Sequence, residues 1–244
     1  MNKSKNLIST LIIYILMILV ITILVITSFK FAIYGDNKYS FYKKHYLKNQ
    51  VLDELPGMNI NNLMSLNDKM MNYLIGKEEK LTFVTNIDGK EQDFFNDNDR
   101  SHMLDVKNLF LGALTIRNIF LVLSIILIIS LLLLNFKNKR YLLYKVALGY
   151  LISMAIFVII FAVVGIMFSS NFDKYFEVFH QIFFPHGGYA FDPSVDYMIR
   201  MLPAEFFDAM LGRIGLCIII PIVLLSLGSL AIIFIEKKKG IVLK

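Results

Sequence analysis

The sequence has no tryptophan, one cysteine, four histidines and five prolines in 244 residues, and only 18% of its side chains are charged. The lone cysteine, Cys217, has no internal partner, so a disulfide scaffold is excluded and the redox compartment has to be read from topology instead. Neither His-Glu-x-x-His nor Cys-x-x-Cys occurs, which leaves a zinc enzyme without direct support. A Gly-x-Ser-x-Gly elbow and a phosphate-binding P-loop are also missing. Without tryptophan, any interfacial aromatic belt must be built from the 12 tyrosines and 21 phenylalanines.

Apolar side chains are abundant. They make up 57% of the chain, and the mean hydropathy is +0.62. Soluble domains carry about 45–50% apolar and about 25% charged residues, so this composition reads as a membrane protein. Leu7 to Phe29 contains no charged residue. At about 1.5 Å per residue that run covers roughly 35 Å, enough to cross a hydrocarbon core of about 30 Å. Lys3 and Lys5 precede it as they would in a signal peptide, but the run exceeds a signal core of about 7–15 residues and shows no clear cleavage site. It reads as a retained span, with a cleaved signal as the alternative. Three further spans are expected at about 113–135, 146–168 and 214–235, leaving polar segments at 30–112 and 169–212.

Charge sets the topology. The two termini and the loop near 136–145 together hold ten Lys or Arg and one acid, Glu236, while the other side holds fifteen basic residues and eighteen acids. Each short basic piece obeys the positive-inside rule on its own. Both termini are therefore expected in the cytoplasm, and the segments 30–112 and 169–212 outside. Charges within the spans are scarce, which argues against an ion or proton pathway. The fold class that follows is an all-α membrane protein, a single membrane domain over 1–244 with four transmembrane helices and a small α+β extracytoplasmic cap.

Within the first outer segment, Tyr39, Phe41, Tyr42, Lys43, Lys44 and Tyr46 look like a snorkelling interfacial stretch. Leu63, Leu66, Met70 and Leu74 recur at helical spacing between a cap at Asn59 or Asn61 and a stop at Gly76. Residues 81–86 and 90–95 flank Asp88-Gly89 and predict a hairpin closed by a type I′ turn. Residues 96–100 read as loop, and Ser101 as the cap of a helix that begins at His102.

All four histidines, His45, His102, His180 and His186, fall in the outer segments, and histidine is the side chain best suited to proton transfer near neutral pH. His180 opens a stretch from Phe179 to Pro193 that combines two histidines, a run of aromatics and the Gly187-Gly188 pair. No membrane-spanning role explains that mixture, and Phe176, His180 and Phe183 share one face of an expected helix. Asp105 follows His102 by three residues, so its carboxylate either holds the imidazole or simply favours an early helical turn. His186 sits in a tight turn that needs only a polar residue, and His45 among lysines and tyrosines reads as a surface side chain. Of the outer serines, none has a motif that marks a nucleophile.

The segments Ser101-His102-Met103-Leu104-Asp105-Val106, Phe179-His180 through Asp192-Pro193, Met201-Leu202-Pro203 and Glu205-Phe206-Phe207 together resemble the bacterial lipoprotein intramolecular transacylases, a four-span membrane family. The resemblance covers nearly the whole chain. Tyr189 stands where the family often has tryptophan, so an aromatic role survives there but an indole hydrogen bond does not. The resemblance implies an acyltransferase of the Gram-positive cytoplasmic membrane, acting at its outer face on diacylated lipoproteins. It would move an acyl chain from the sn-2 glyceryl ester of the N-terminal cysteine to that cysteine's own α-amino group, giving the lyso form. Its two functional histidines carry over to His102 and His180; read from the residues themselves, Asp105, Tyr189, His186 and Asp192 are the candidates to support them. No metal, cofactor or nucleic-acid partner is expected; membrane lipids are. Two other readings of the same residues stay open, a non-catalytic module binding lipid or protein at the outer face, and a lipid ester hydrolase.

Overall fold

The computed structural model describes residues 3–184 and 190–240. Among these, four helices are long and apolar enough to cross a membrane: α1 (Lys3–Tyr34), α4 (Asp97–Leu134), α5 (Lys139–Ser170) and α8 (Ala204–Lys238). The shorter elements are α2 (Ser40–Lys48), α3 (Ile60–Leu74), β1 (Val84–Ile87), β2 (Lys90–Asp93), α6 (Phe172–Phe183) and α7 (Tyr197–Met201). The 38 residues of α4 extend about 57 Å, well beyond a hydrocarbon core of about 30 Å. Its polar first turns therefore continue past the apolar run.

The chain divides into two compact units. One comprises Met1–Phe29, Thr115–Ser170 and Gly215–Lys244 and carries the apolar stretches of the four long helices. Leu133, Ile166 and Phe234 are 73%, 67% and 69% exposed there, the pattern of side chains that face lipid. Ile13, Leu16, Met17, Ile21, Leu131, Leu142, Tyr150 and Met154 form its buried cluster. Polar links are few and specific. Asn135 Nδ2 donates to Ser9 Oγ at 3.1 Å, Lys145 Nζ to Asn6 Oδ1 and Thr10 Oγ1 at 2.7 Å each, and Tyr150 Oη to the Ile222 carbonyl at 3.3 Å. Arg140 pairs at 2.8 Å with Glu236, whose side chain is nearly buried. Helix α8 runs through Pro221 without a break.

The other unit comprises Lys30–Leu114 and Asn171–Ile214 and is built on a core of its own. Tyr42, Tyr46, Leu55, Leu63, Leu66, Met71, Ile87, Phe94, Phe95, Met201 and Phe206 pack together, and the Tyr46 hydroxyl donates to Asn67 Oδ1 at 2.8 Å. The tyrosines expected to snorkel at an interface are instead core residues, because α2 turns Tyr42 and Tyr46 inward one helical turn apart and leaves Lys43 and Lys44 outside. Helix α3 is capped by Asn59, whose Oδ1 accepts from the amides of Asn61 and Asn62, and Gly76 follows it at φ 77°. The hairpin forms with Ile87 opposite Lys90 across Asp88 and Gly89, both at positive φ as a type I′ turn requires.

The structure corrects the start of α4. It begins at Asp97, not at His102, because Asn96 and Asp99 make a capping box one turn earlier: the Asp99 amide donates to Asn96 Oδ1 at 2.9 Å, and the Asn96 amide to Asp99 Oδ2 at 3.2 Å. Ser101 therefore lies inside the helix. Arg100 then fastens this turn to the hairpin, donating to Asp93 Oδ2 at 2.7 Å and to the Leu81 carbonyl at 3.1 Å.

Gly149 tests the packing of α1 on α5. A Cβ placed there falls 2.6 Å from Ile13 Cγ2, whereas one at Gly165 meets nothing within 4 Å. Gly149→Val is expected to destabilise the detergent-solubilised protein by about 1–3 kcal/mol. Gly165→Ala should leave its thermal midpoint unchanged or slightly raised. Equal behaviour of the two variants would contradict this packing.

Candidate active site

Helix α4 carries His102 in its second turn, and α6 carries His180 in its third. The two rings, 78 residues apart in sequence, lie with centroids 6.4 Å apart and planes inclined by 24°. Phe184, the residue after α6, contacts both: its ring is 4.9 Å from His102 at 7° and 4.8 Å from His180 at 30°. The three centroids form a triangle, not a sandwich, so the phenyl ring backs the pair and does not separate it. Phe191 meets His102 edge-on at 5.1 Å, while Phe176 and Phe179 lie 4.0 and 5.3 Å from His180.

The two imidazoles are held differently. His180 is buried, and its Nδ1 lies 2.8 Å from the carbonyl of Phe176, one turn back along α6. A carbonyl only accepts, so Nδ1 carries the proton, and in the neutral ring Nε2 is the basic nitrogen. His102 Nδ1 is buried with no hydrogen-bond partner among the described residues. Leaving such a group unsatisfied costs about 1–3 kcal/mol, which a bound oxygen would recover. Burial pushes the His102 pKa down to about 4, the neighbouring His180 pushes it the same way, and Asp105 acts in the opposite sense. His102 is accordingly an uncharged imidazole at neutral pH.

Asp105 is buried on the same helix, close enough to act on His102 electrostatically, but it makes no hydrogen bond to His102 Nδ1. Asp192 follows Phe191 directly in the chain. It is exposed and forms an Asx turn, accepting from the Ser194 amide at 2.9 Å, a contact that also lowers its pKa. His45 packs on Phe41 in α2, and His186 and Tyr189 lie outside the described residues. Among the described residues no group of three or more His, Cys, Asp or Glu side chains is arranged to hold a metal.

Asn96 and Asp196, which the sequence reading did not single out, join at the head of α4, and within the aromatic stretch only the structure picks out Phe184 and Phe191 as the residues that meet the pair. Asn96-x-x-Asp99 is a legible capping pattern, but nothing in the sequence separates Phe184 or Phe191 from the other aromatics. Asp99 is buried beside Asp196. Burial raises its pKa to about 7, the Asn96 amide opposes that shift, and the like charge of Asp196 adds to it.

A family model described as "Lipoprotein intramolecular transacylase Lit" matches residues 12–207. The chain belongs to the lipoprotein intramolecular transacylase family. As a member it is an integral membrane acyltransferase, catalysing intramolecular acyl transfer on lipoproteins. The fold agrees with crystal structures of the membrane integral lipoprotein intramolecular transacylase from Bacillus cereus. One shares 22% identity at a TM-score of 0.69, covering 98% of this chain and 99% of the other. A variant of that protein with a histidine replaced by alanine shares 20% identity at a TM-score of 0.68, covering 97% and 96%. A search of curated proteins gave no match.

The histidine environment has a measurable consequence. Because the folded state holds the His102 pKa below its ordinary value near 6.5, the associated stability is complete above about pH 6.5. It is lost as pH falls toward 4, since the unfolded chain takes up that proton first. Between pH 7 and 4.5 the thermal midpoint of the solubilised transacylase is expected to fall further than that of a His102→Gln variant. Parallel curves for the two proteins would contradict the assignment.

Proposed function

We propose that His180 and His102 carry out this transfer, His180 as the general base and His102 as the hydrogen-bond donor to the oxyanion. The substrate is a lipoprotein whose N-terminal cysteine bears a diacylglyceryl group and a free α-amine. The α-ammonium, with a pKa of about 7.7–8.0, first releases one proton to solvent, and as the free amine attacks, Nε2 of His180 accepts the second proton that nitrogen sheds when the N–C bond forms. Attack on the sn-2 ester carbonyl forms the N–C bond and a tetrahedral oxyanion, which an N–H of neutral His102 stabilises. Collapse breaks the ester C–O bond, and the glyceryl oxygen takes the proton back from His180. The products are an N-acyl cysteine and a free glyceryl hydroxyl, and the acyl count is unchanged.

The observation that carries this reading is the pair itself: two imidazoles on separate helices, 6.4 Å apart among phenylalanines, one with its tautomer fixed by the Phe176 carbonyl. Keeping His102 neutral suits a donor to a developing oxyanion, because it leaves the proton with the base and not with the donor. Acceptor and ester belong to one molecule, so positioning supplies much of the acceleration. The charge asymmetry of the short loops supports cytoplasmic termini and a site at the outer face, where lipoprotein N-termini and lipid headgroups meet.

The test is mass spectrometry of a lipoprotein's N-terminal lipopeptide from cells that otherwise make only the diacylglyceryl form. Expression of the wild-type chain should place one acyl chain on the amine with the total unchanged. His102→Ala and His180→Ala should each lower the rate by about 10²–10⁴-fold, the range for a lost acid–base or oxyanion group. Loss of one acyl chain altogether would indicate a hydrolase. Unaltered activity in both variants would remove the histidines from the mechanism.

A further inference from the structure

The segment from Ala190 to Asp196 is tied to the head of α4 by side chains about a hundred positions away in sequence. Asp196 is buried, and its carboxylate accepts from three donors: Asn96 Nδ2 at 2.6 Å, Asn98 Nδ2 at 3.3 Å and the Asp192 amide at 2.6 Å. Asn96 Nδ2 also reaches the Val195 carbonyl at 3.1 Å. A carboxylate withdrawn from water is strongly unfavourable unless its oxygens are hydrogen-bonded, so these contacts fix the segment more firmly than apolar packing alone. The Asp192 turn stiffens it further, with the amides of Val195 and Asp196 both donating to the Asp192 carbonyl.

The same Asn96 caps α4, so the segment is registered against the helix that carries His102. Its first aromatic, Phe191, stands edge-on over the His102 ring at 5.1 Å and 88°. The clamp and the proposed catalytic imidazole thus sit on the first two turns of one helix. Water competes with the α-amine for the same acyl carbon. If water attacks, the ester C–O bond still breaks and the glyceryl oxygen is still protonated, but a free fatty acid leaves and the amine stays unacylated.

We propose that Asp196 is a positioning residue which, through Asn96 and Asn98, holds Phe191 over His102 and so keeps the reaction an acyl transfer instead of a hydrolysis. This inference rests on the function proposed above. Asp196 touches no reacting atom and acts on the partition between amine and water.

The experiment compares wild type, Asp196→Ala, Asn98→Ala and Phe191→Ala by the lipopeptide assay, reading the ratio of N-acylated to deacylated product together with released fatty acid. Asn98→Ala is expected to raise the hydrolysed fraction by about ten-fold, the effect of one lost charge-assisted hydrogen bond, and Asp196→Ala and Phe191→Ala, which remove the whole clamp and the cover it holds, at least as far. His102→Ala added to Asp196→Ala should abolish both products. A clamp variant that slows turnover while leaving the ratio at the wild-type value would overturn the proposal, since a purely structural role lowers both products together. Unchanged rate and ratio would overturn it equally. Should Asp196→Ala fail to accumulate, Asn98→Ala removes a single half-buried donor and decides on the same ratio. Absence of N-acylation by the wild-type chain would count against the function itself and not against the clamp.

Discussion

The arrangement depends on desolvation of a pair of basic groups. Two imidazoles 6.4 Å apart among four phenylalanines would repel if both were charged, and the surroundings offer little water to screen them. Burial and mutual repulsion act in the same direction on His102 and keep it uncharged. A backbone carbonyl fixes which nitrogen of His180 holds the proton. In the proposed mechanism the pair presents one base and one neutral donor, the division of labour that aminolysis of an ester requires. In that mechanism the phenylalanines act through the dielectric, beyond the area they bury.

Precise placement of such a pair is a packing problem, which the chain solves with polar knots. Asn96 caps α4 and donates to Asp196, and Arg100 one turn later ties the same helix to the hairpin through Asp93 and the Leu81 carbonyl. The first knot joins segments a hundred positions apart and the second joins neighbouring elements, both through buried or half-buried groups whose unsatisfied state would be expensive. Hydrophobic contact is tolerant of small slips, whereas a buried carboxylate with three donors is not. Helix α4 thereby receives a defined rotation and His102 a defined heading.

Apolar run length and the placement of lysine and arginine were enough to read four long helices, because a membrane-crossing helix announces itself by composition alone. Asn59, Gly76 and the Asp88-Gly89 turn were legible for the same reason, each answering a local backbone demand that few residues meet. Where the reading failed, a longer-range preference had won. Ser101 has the chemistry of a cap, but Asn96 and Asp99 close the helix a turn earlier, and the tyrosines of α2 are claimed by a core that their neighbouring lysines concealed.

The sequence by itself determined the membrane class, the helical content, the hairpin and the candidacy of His102 and His180, since these follow from residue type and near-neighbour spacing. Only the tertiary structure decided that the two histidines meet, that Phe184 backs both and that Phe191 covers one of them. It also decided that Asp105 leaves His102 Nδ1 without a partner and that Asp196 reaches back to Asn96. Those outcomes depend on how helices rotate and on which buried polar groups satisfy one another, and neither is encoded by any stretch of the chain taken alone.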